Sequence, residues 1–148
     1  MRFSRRTCAI ASAAASLAII STGCNTKVSQ CNKLIKVANS ATTELKAITQ
    51  ESGSGQEAKM AQMQRLADSL DKYSKEVQNV SLEDEQLQGF QKRLSTLYAT
   101  SSEASQEIIA AAKAKNIKGM TAALKKLSGG SRTEGEIVSE MNGYCQNK

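Results

Sequence analysis

From Lys27 onward the apolar residues recur at steps of three and four, and no proline interrupts them anywhere in the 148 residues. That period is the signature of an amphipathic α-helix, and a chain without proline holds no residue that forbids a helix from continuing. Alanine, glutamine, lysine, glutamate and leucine, all good helix formers, fill much of the remainder. The chain is therefore expected to be all-α.

Four runs can be read. The first covers Lys27–Gln50, with Val28, Cys31, Ile35, Ala38, Thr42 and Leu45 facing inward and Leu34, Ala41 and Ile48 widening the stripe. A Gly53-Ser54-Gly55 turn ends it. The second covers 56–79, with Met60, Met63, Leu66 or Ala67, Leu70, Tyr73 and Val77. Its methionines suit either core filling or an adaptable binding groove. Ser81 is expected to cap the third, with Asp84 three residues on and Glu83 and Glu85 complementing the macrodipole. This helix carries Leu87, Phe90, Leu94, Leu97, Ser101, Ala104, Ile108 and Ala111 and reaches Ala114. A break at Lys115-Asn116 follows. The fourth run is expected in two pieces, 117–127 and 133–144, because Gly129-Gly130 interrupts it and Thr133 to Glu136 can cap the second piece.

Four runs with short links predict an antiparallel up-down four-helix bundle, its last helix broken in two. In that topology Cys31 and Cys145 share one end with the 78–84 link. The Gly53-Ser54-Gly55 turn and the 115–119 corner lie at the other.

The first residues read as an address. Met1 to Arg6 carries three arginines and no acid, and Ala9 to Ile20 is uncharged. A basic segment, a short apolar stretch and small residues before Cys24 make an export signal, too short to span a bilayer. Gly23-Cys24 resembles the lipobox of bacterial lipoproteins, although Ser21 stands where that family prefers an aliphatic residue. The resemblance implies a signal peptide over 1–23, an acyl lipid such as palmitate on Cys24, a tether over 24–26 and a helical domain over 27–148. Ser4-Arg5-Arg6-Thr7 is similar to a twin-arginine export motif, but the residues after it favour general secretion. The order lipobox, SQCNKLI, LQGFQ and NGYC resembles small exported helical proteins of cyanobacteria, a group without an assigned activity. That resemblance implies architecture and lineage and supplies no active residues.

With Cys8 removed alongside the leader and Cys24 lipidated, Cys31 and Cys145 remain as one pair in an oxidising compartment. They are expected to form a disulfide. Cys24 lies seven residues before Cys31. The bundle is thus expected to hang within about 25 Å of its membrane, facing periplasm or lumen. Lys27, Lys33 and Lys36 stand near the lipid and suit anionic headgroups.

Chemistry is narrowed by composition. The chain has no histidine, which excludes histidine-based triads, histidine-ligated metals and ferritin-like di-metal sites. Loss of the leader's three arginines lowers the formal charge from +6 to +3, and aromatics make up only 3%. Nucleic-acid binding is therefore not expected. Glu103 and Glu107, four apart, read as an exposed face rather than a cation site, and Tyr73, Tyr98 and Tyr144 as core or rim residues with wet hydroxyls. No catalytic residue, metal or cofactor is expected. Lys113, Lys115, Lys118, Lys125 and Lys126 gather at one corner and suit either a docking patch for an acidic partner or plain solubility. The expected function is non-catalytic protein–protein contact at a membrane surface, as an accessory or assembly factor. The alternative is a carrier or sensor of an apolar ligand held near the methionine stripe and the Ala/Ser-rich half of the third helix.

Overall fold

A computed structural model describes residues 26–51 and 53–146; the expected leader, Cys24 and the expected tether up to residue 25 lie outside the described residues. Among the described residues there are four helices: α1 Lys27–Gln50, α2 Gln56–Gln78, α3 Glu85–Lys113 and α4 Ile117–Gln146. No strand occurs among the described residues, and no helix there is long and apolar enough to cross a membrane.

Helix ends follow local chemistry. Thr26 caps α1, its hydroxyl accepting the Ser29 amide at 3.3 Å. Gly55 precedes α2 at φ 104°, a conformation that side-chain-bearing residues rarely adopt, so glycine is required there. The cap of α3 is Asp84 rather than Ser81, and its carboxylate accepts the Leu87 amide at 2.9 Å. Asp84 serves because the chain stays extended through it, and Gln30 holds the link there: the buried Gln30 carbonyl accepts the amides of Glu83 at 2.6 Å and Asp84 at 3.0 Å.

The expected break in the last helix is absent. α4 runs without interruption through Gly129 and Gly130, and Thr133 caps nothing; its hydroxyl donates back to the Gly129 carbonyl at 3.1 Å inside the helix. Two glycines cost an isolated helix about 2 kcal/mol, a deficit that packing against α3 offsets. Gly130 is where α4 comes close to α3: a Cβ there would lie 2.7 Å from Ser101 Oγ. A Cβ at Gly129 would meet nothing within 4 Å. Gly129→Ala is therefore expected to raise stability by about 1 kcal/mol, and Gly130→Ala to gain less or to destabilise. Urea melts of the two variants check this, and a loss of stability in Gly129→Ala would contradict a continuous helix.

The core joins Leu34, Ala38, Ala41 and Leu45 of α1 to Leu70, Tyr73 and Val77 of α2, Leu87, Phe90, Leu94 and Tyr98 of α3, and Ile137 and Met141 of α4. The inward face of α1 is mostly the expected one: Cys31, Ala38 and Leu45 are buried together with Leu34, Ala41 and Ile48, whereas Val28 is 61% exposed and Thr42 is exposed. α3 packs along both α2 and α4, and α1 lies mainly on α2. Small residues let α2 and α3 approach closely. The hydroxyl of Ser74 donates to the Ser95 carbonyl at 2.9 Å and that of Ser102 to the Ala67 carbonyl at 2.8 Å, both buried. Every buried side-chain nitrogen and oxygen among the described residues has a partner.

One end is cross-linked. Cys31 and Cys145 form a disulfide, with Cα atoms 5.9 Å apart. Beside it the Tyr144 hydroxyl donates to Asp84 at 2.8 Å, and the Lys27 ammonium lies 4.0 Å from the Tyr144 ring centre. The start of α1, the α2–α3 link and the end of α4 are thus held together.

Tyrosine hydroxyls are not simply wet. Each of the three donates to a carboxylate on another element: Tyr73 to Glu44 at 2.7 Å, Tyr98 to Glu134 at 2.7 Å, and Tyr144 to Asp84. Burial first, then the Glu134 carboxylate, pushes the Tyr98 hydroxyl far above the ordinary tyrosine range. Hydrogen bonds from Lys72, Tyr73 and Ser69 hold the Glu44 carboxyl down to about 2. Because the folded value lies below the ordinary 4.5, this stabilisation is fully present above about pH 4.5 and is lost as the pH falls through about 2. The Glu44 side chain is 37% exposed, so solvent screening keeps the effect near 1 kcal/mol. Glu44→Gln is expected to cost that much at pH 7, with the gap from wild type closing toward pH 2 in denaturant melts.

Candidate binding groove at the lysine corner

The corner between α3 and α4 is built by a paired set of caps. α3 ends in a Schellman motif: the Asn116 amide donates to the Ala111 carbonyl at 2.8 Å and the Lys115 amide to the Ala112 carbonyl at 3.1 Å. The position that usually holds glycine is Lys115, at φ 54°. Asn116 then caps α4, its side-chain oxygen accepting the Gly119 amide at 3.0 Å. The chain thus turns from α3 into α4 within three residues, with a lysine in a left-handed conformation at the apex.

This corner meets the first turns of α2 around a groove of about 540 Å³. Met60 and Met63 of α2, Ile108 and Ile109 of α3, and Ile117 and Met120 of α4 form its apolar wall. Ile117 is 67% exposed, and the three methionines are half-buried. Lys59 and Lys115 belong to the lining. The volume lies in the range of small-ligand sites, about 300–1,000 Å³. A second groove, of about 510 Å³, has leucines from all four helices in its lining, together with Tyr98 and Glu134.

The lysines expected to act together divide. Lys113, Lys115, Lys118 and Lys125 are exposed and make no ion pair among the described residues. Lys126 pairs with Glu107 at 2.8 Å, which removes both from any free patch. Of the five, only Lys115 lines the apolar groove; Lys59 joins it from α2. Lys59 was not singled out by the sequence. It stands one position before Met60, in the opening turns of a helix expected to share this end, and that placement was the available signal. The described residues hold no group of three or more metal-ligating side chains. Within Glu83-Asp84-Glu85, Asp84 is committed to capping α3 and to Tyr144, and the Leu87 amide and Tyr144 hydroxyl lower its carboxyl.

No protein-family model matches the chain, and comparison with curated proteins and with solved structures gives no match.

Proposed function

We propose that the chain is an exported lipoprotein, cut before an acylated Cys24, whose helices form an antiparallel up-down bundle acting by non-catalytic contact at a membrane surface. In this reading it is an accessory or assembly factor of a membrane complex, in the lineage that the cyanobacterial resemblance implies. The observation that carries the reading is the separation of tether and lysines. The disulfide links the start of α1, next to the tether, to the end of α4. The 29 residues of α3 lead from that end to the lysine corner, about 43 Å away. A protein held at one end would present unpaired cations at the other, where an acidic partner is steered in.

Native mass spectrometry of the full protein, extracted from its own membranes in mild detergent, tests this. The expected result is a mass beginning at Cys24, increased by acyl groups and decreased by the two hydrogen atoms lost in the disulfide, with a second polypeptide bound. Charge reversal by Lys115→Glu, Lys118→Glu and Lys125→Glu together is expected to weaken that partner at least tenfold, and full retention would exclude the corner as the contact.

The groove of about 540 Å³ favours a second reading, a carrier or sensor of an apolar ligand. It lies where the methionines of α2 meet the last turns of α3, and a half-buried methionine wall accommodates varied apolar shapes.

A further inference from the structure

We infer that the groove between α2, α3 and α4 binds a long-chain fatty acid, its acyl chain along the methionine wall and its carboxylate on Lys59 and Lys115. The inference rests on the apolar-ligand reading and narrows it to one ligand class.

The wall selects the chain. Met60, Met63 and Met120 supply flexible, unbranched, polarisable side chains, and isoleucines complete the surface. No aromatic residue lines the groove, so a planar ring would find no stacking platform. A flexible hydrocarbon chain needs none.

The rim selects the head. Lys59 and Lys115 line the same groove, and neither makes an ion pair among the described residues. Gly55 and Gln56 of the α2 N-terminus also line it, and no side chain caps that terminus. Its first amides and the positive end of its dipole add to the cationic rim. Glu57, the acid of that first turn, is absent from this lining but lines an adjoining pocket that shares Gly55, Gln56 and Met60. The second groove carries both a carboxylate and a cation, Glu134 and Lys46, in its lining, so its rim is not purely cationic. A neutral apolar molecule would leave the two lysines without a counter-charge. A compact anion would leave the methionine wall wet. An amphipathic anion meets both needs.

Methionine gives the readout. The chain has five, and Met60, Met63 and Met120 line the groove, while Met141 is fully buried in the core. The full chain, labelled with 13C at its methionine methyls, is titrated with hexadecanoate below its aggregation concentration and in parallel with hexadecanol. Saturable shifts at Met60, Met63 and Met120 are expected, with Met141 unmoved. Hexadecanol is expected to bind about tenfold more weakly, and Lys59→Gln with Lys115→Gln to weaken hexadecanoate about tenfold and leave hexadecanol unchanged. An unshifted Met141 signal in that variant reports that it is folded.

Failure to bind either molecule overturns the inference and the apolar-ligand reading with it. Equal binding of acid and alcohol, or an unaffected double variant, overturns the fatty-acid assignment and leaves the apolar-ligand reading standing. Groove-methyl shifts that grow with protein concentration alone make a second copy of the chain the occupant, and that also overturns it.

Discussion

Loss of the Cys31–Cys145 disulfide is expected to lower the unfolding free energy by about 4 kcal/mol. The two cysteines are 114 residues apart, so the bond closes nearly the whole described chain into one loop. In the chain-entropy model a loop of that size restricts the unfolded ensemble by about 4–5 kcal/mol. A domain of this length has only about 5–15 kcal/mol in total. The native state also relies on the bond locally. α1 lies mainly on α2 and meets α4 over a short stretch, where Thr42 donates to Glu134 at 3.2 Å. Without the cross-link, the first turns of α1 and the last turns of α4 lose their strongest connection. Guanidinium melts of wild type and of Cys31→Ser with Cys145→Ser measure the first effect. Amide exchange is expected to accelerate at these two ends more than in α3. A shift below 1 kcal/mol would mean that the unfolded chain already holds its ends close.

Replacing Gln30 by methionine is expected to cost about 2–3 kcal/mol, more than any exposed glutamine. Gln30 is 4% exposed, and its carbonyl is the acceptor for two successive backbone amides, Glu83 and Asp84. Methionine keeps the volume and removes the acceptor, so both amides must find water at the edge of the core. Those amides set the entry into α3, and Asp84 in turn holds Tyr144. The damage should therefore reach the α3–α4 contact as well as the α2–α3 link. Gln88→Ala is the control. Its amide donates to the Leu82 carbonyl in an exposed setting, and its loss is expected to stay within 0.5 kcal/mol. A fall in the urea midpoint with an unchanged slope for Gln30→Met, and none for Gln88→Ala, is the expected pattern.

Gln30 belongs to a group that sequence reading could not find. Gln62 donates to the Ile48 and Glu51 carbonyls at the end of α1, and Gln91 to the Val77 and Val80 carbonyls at the end of α2. In each case a glutamine on one helix reaches the terminus or link of another. A cap from the adjoining residues, such as Thr26, leaves a local spacing to be read. A cap from a distant helix leaves none, and glutamine reads as solvent face. The same limit applies to the candidate site. The lysine cluster and the methionine stripe were each legible. That only Lys115 of the cluster meets the methionines around one groove, with Lys59 joining it and Lys126 paired to Glu107, depends on how α2 and α4 lie against α3.

Periodicity alone determined four helical runs and their order, and cysteine counting singled out one pair, because each depends on residues close in sequence or on simple number. Only the tertiary structure decided the rest. Packing against α3 carried α4 through Gly129-Gly130, since contacts between helices outweigh a propensity deficit of about 2 kcal/mol. Packing buried Leu34, Ala41 and Ile48 beside Cys31, Ala38 and Leu45 on α1 and left Val28 and Thr42 exposed, because a broad apolar stripe permits several rotations. Partners on other elements drew all three tyrosine hydroxyls to carboxylates, a preference that no spacing within one helix encodes.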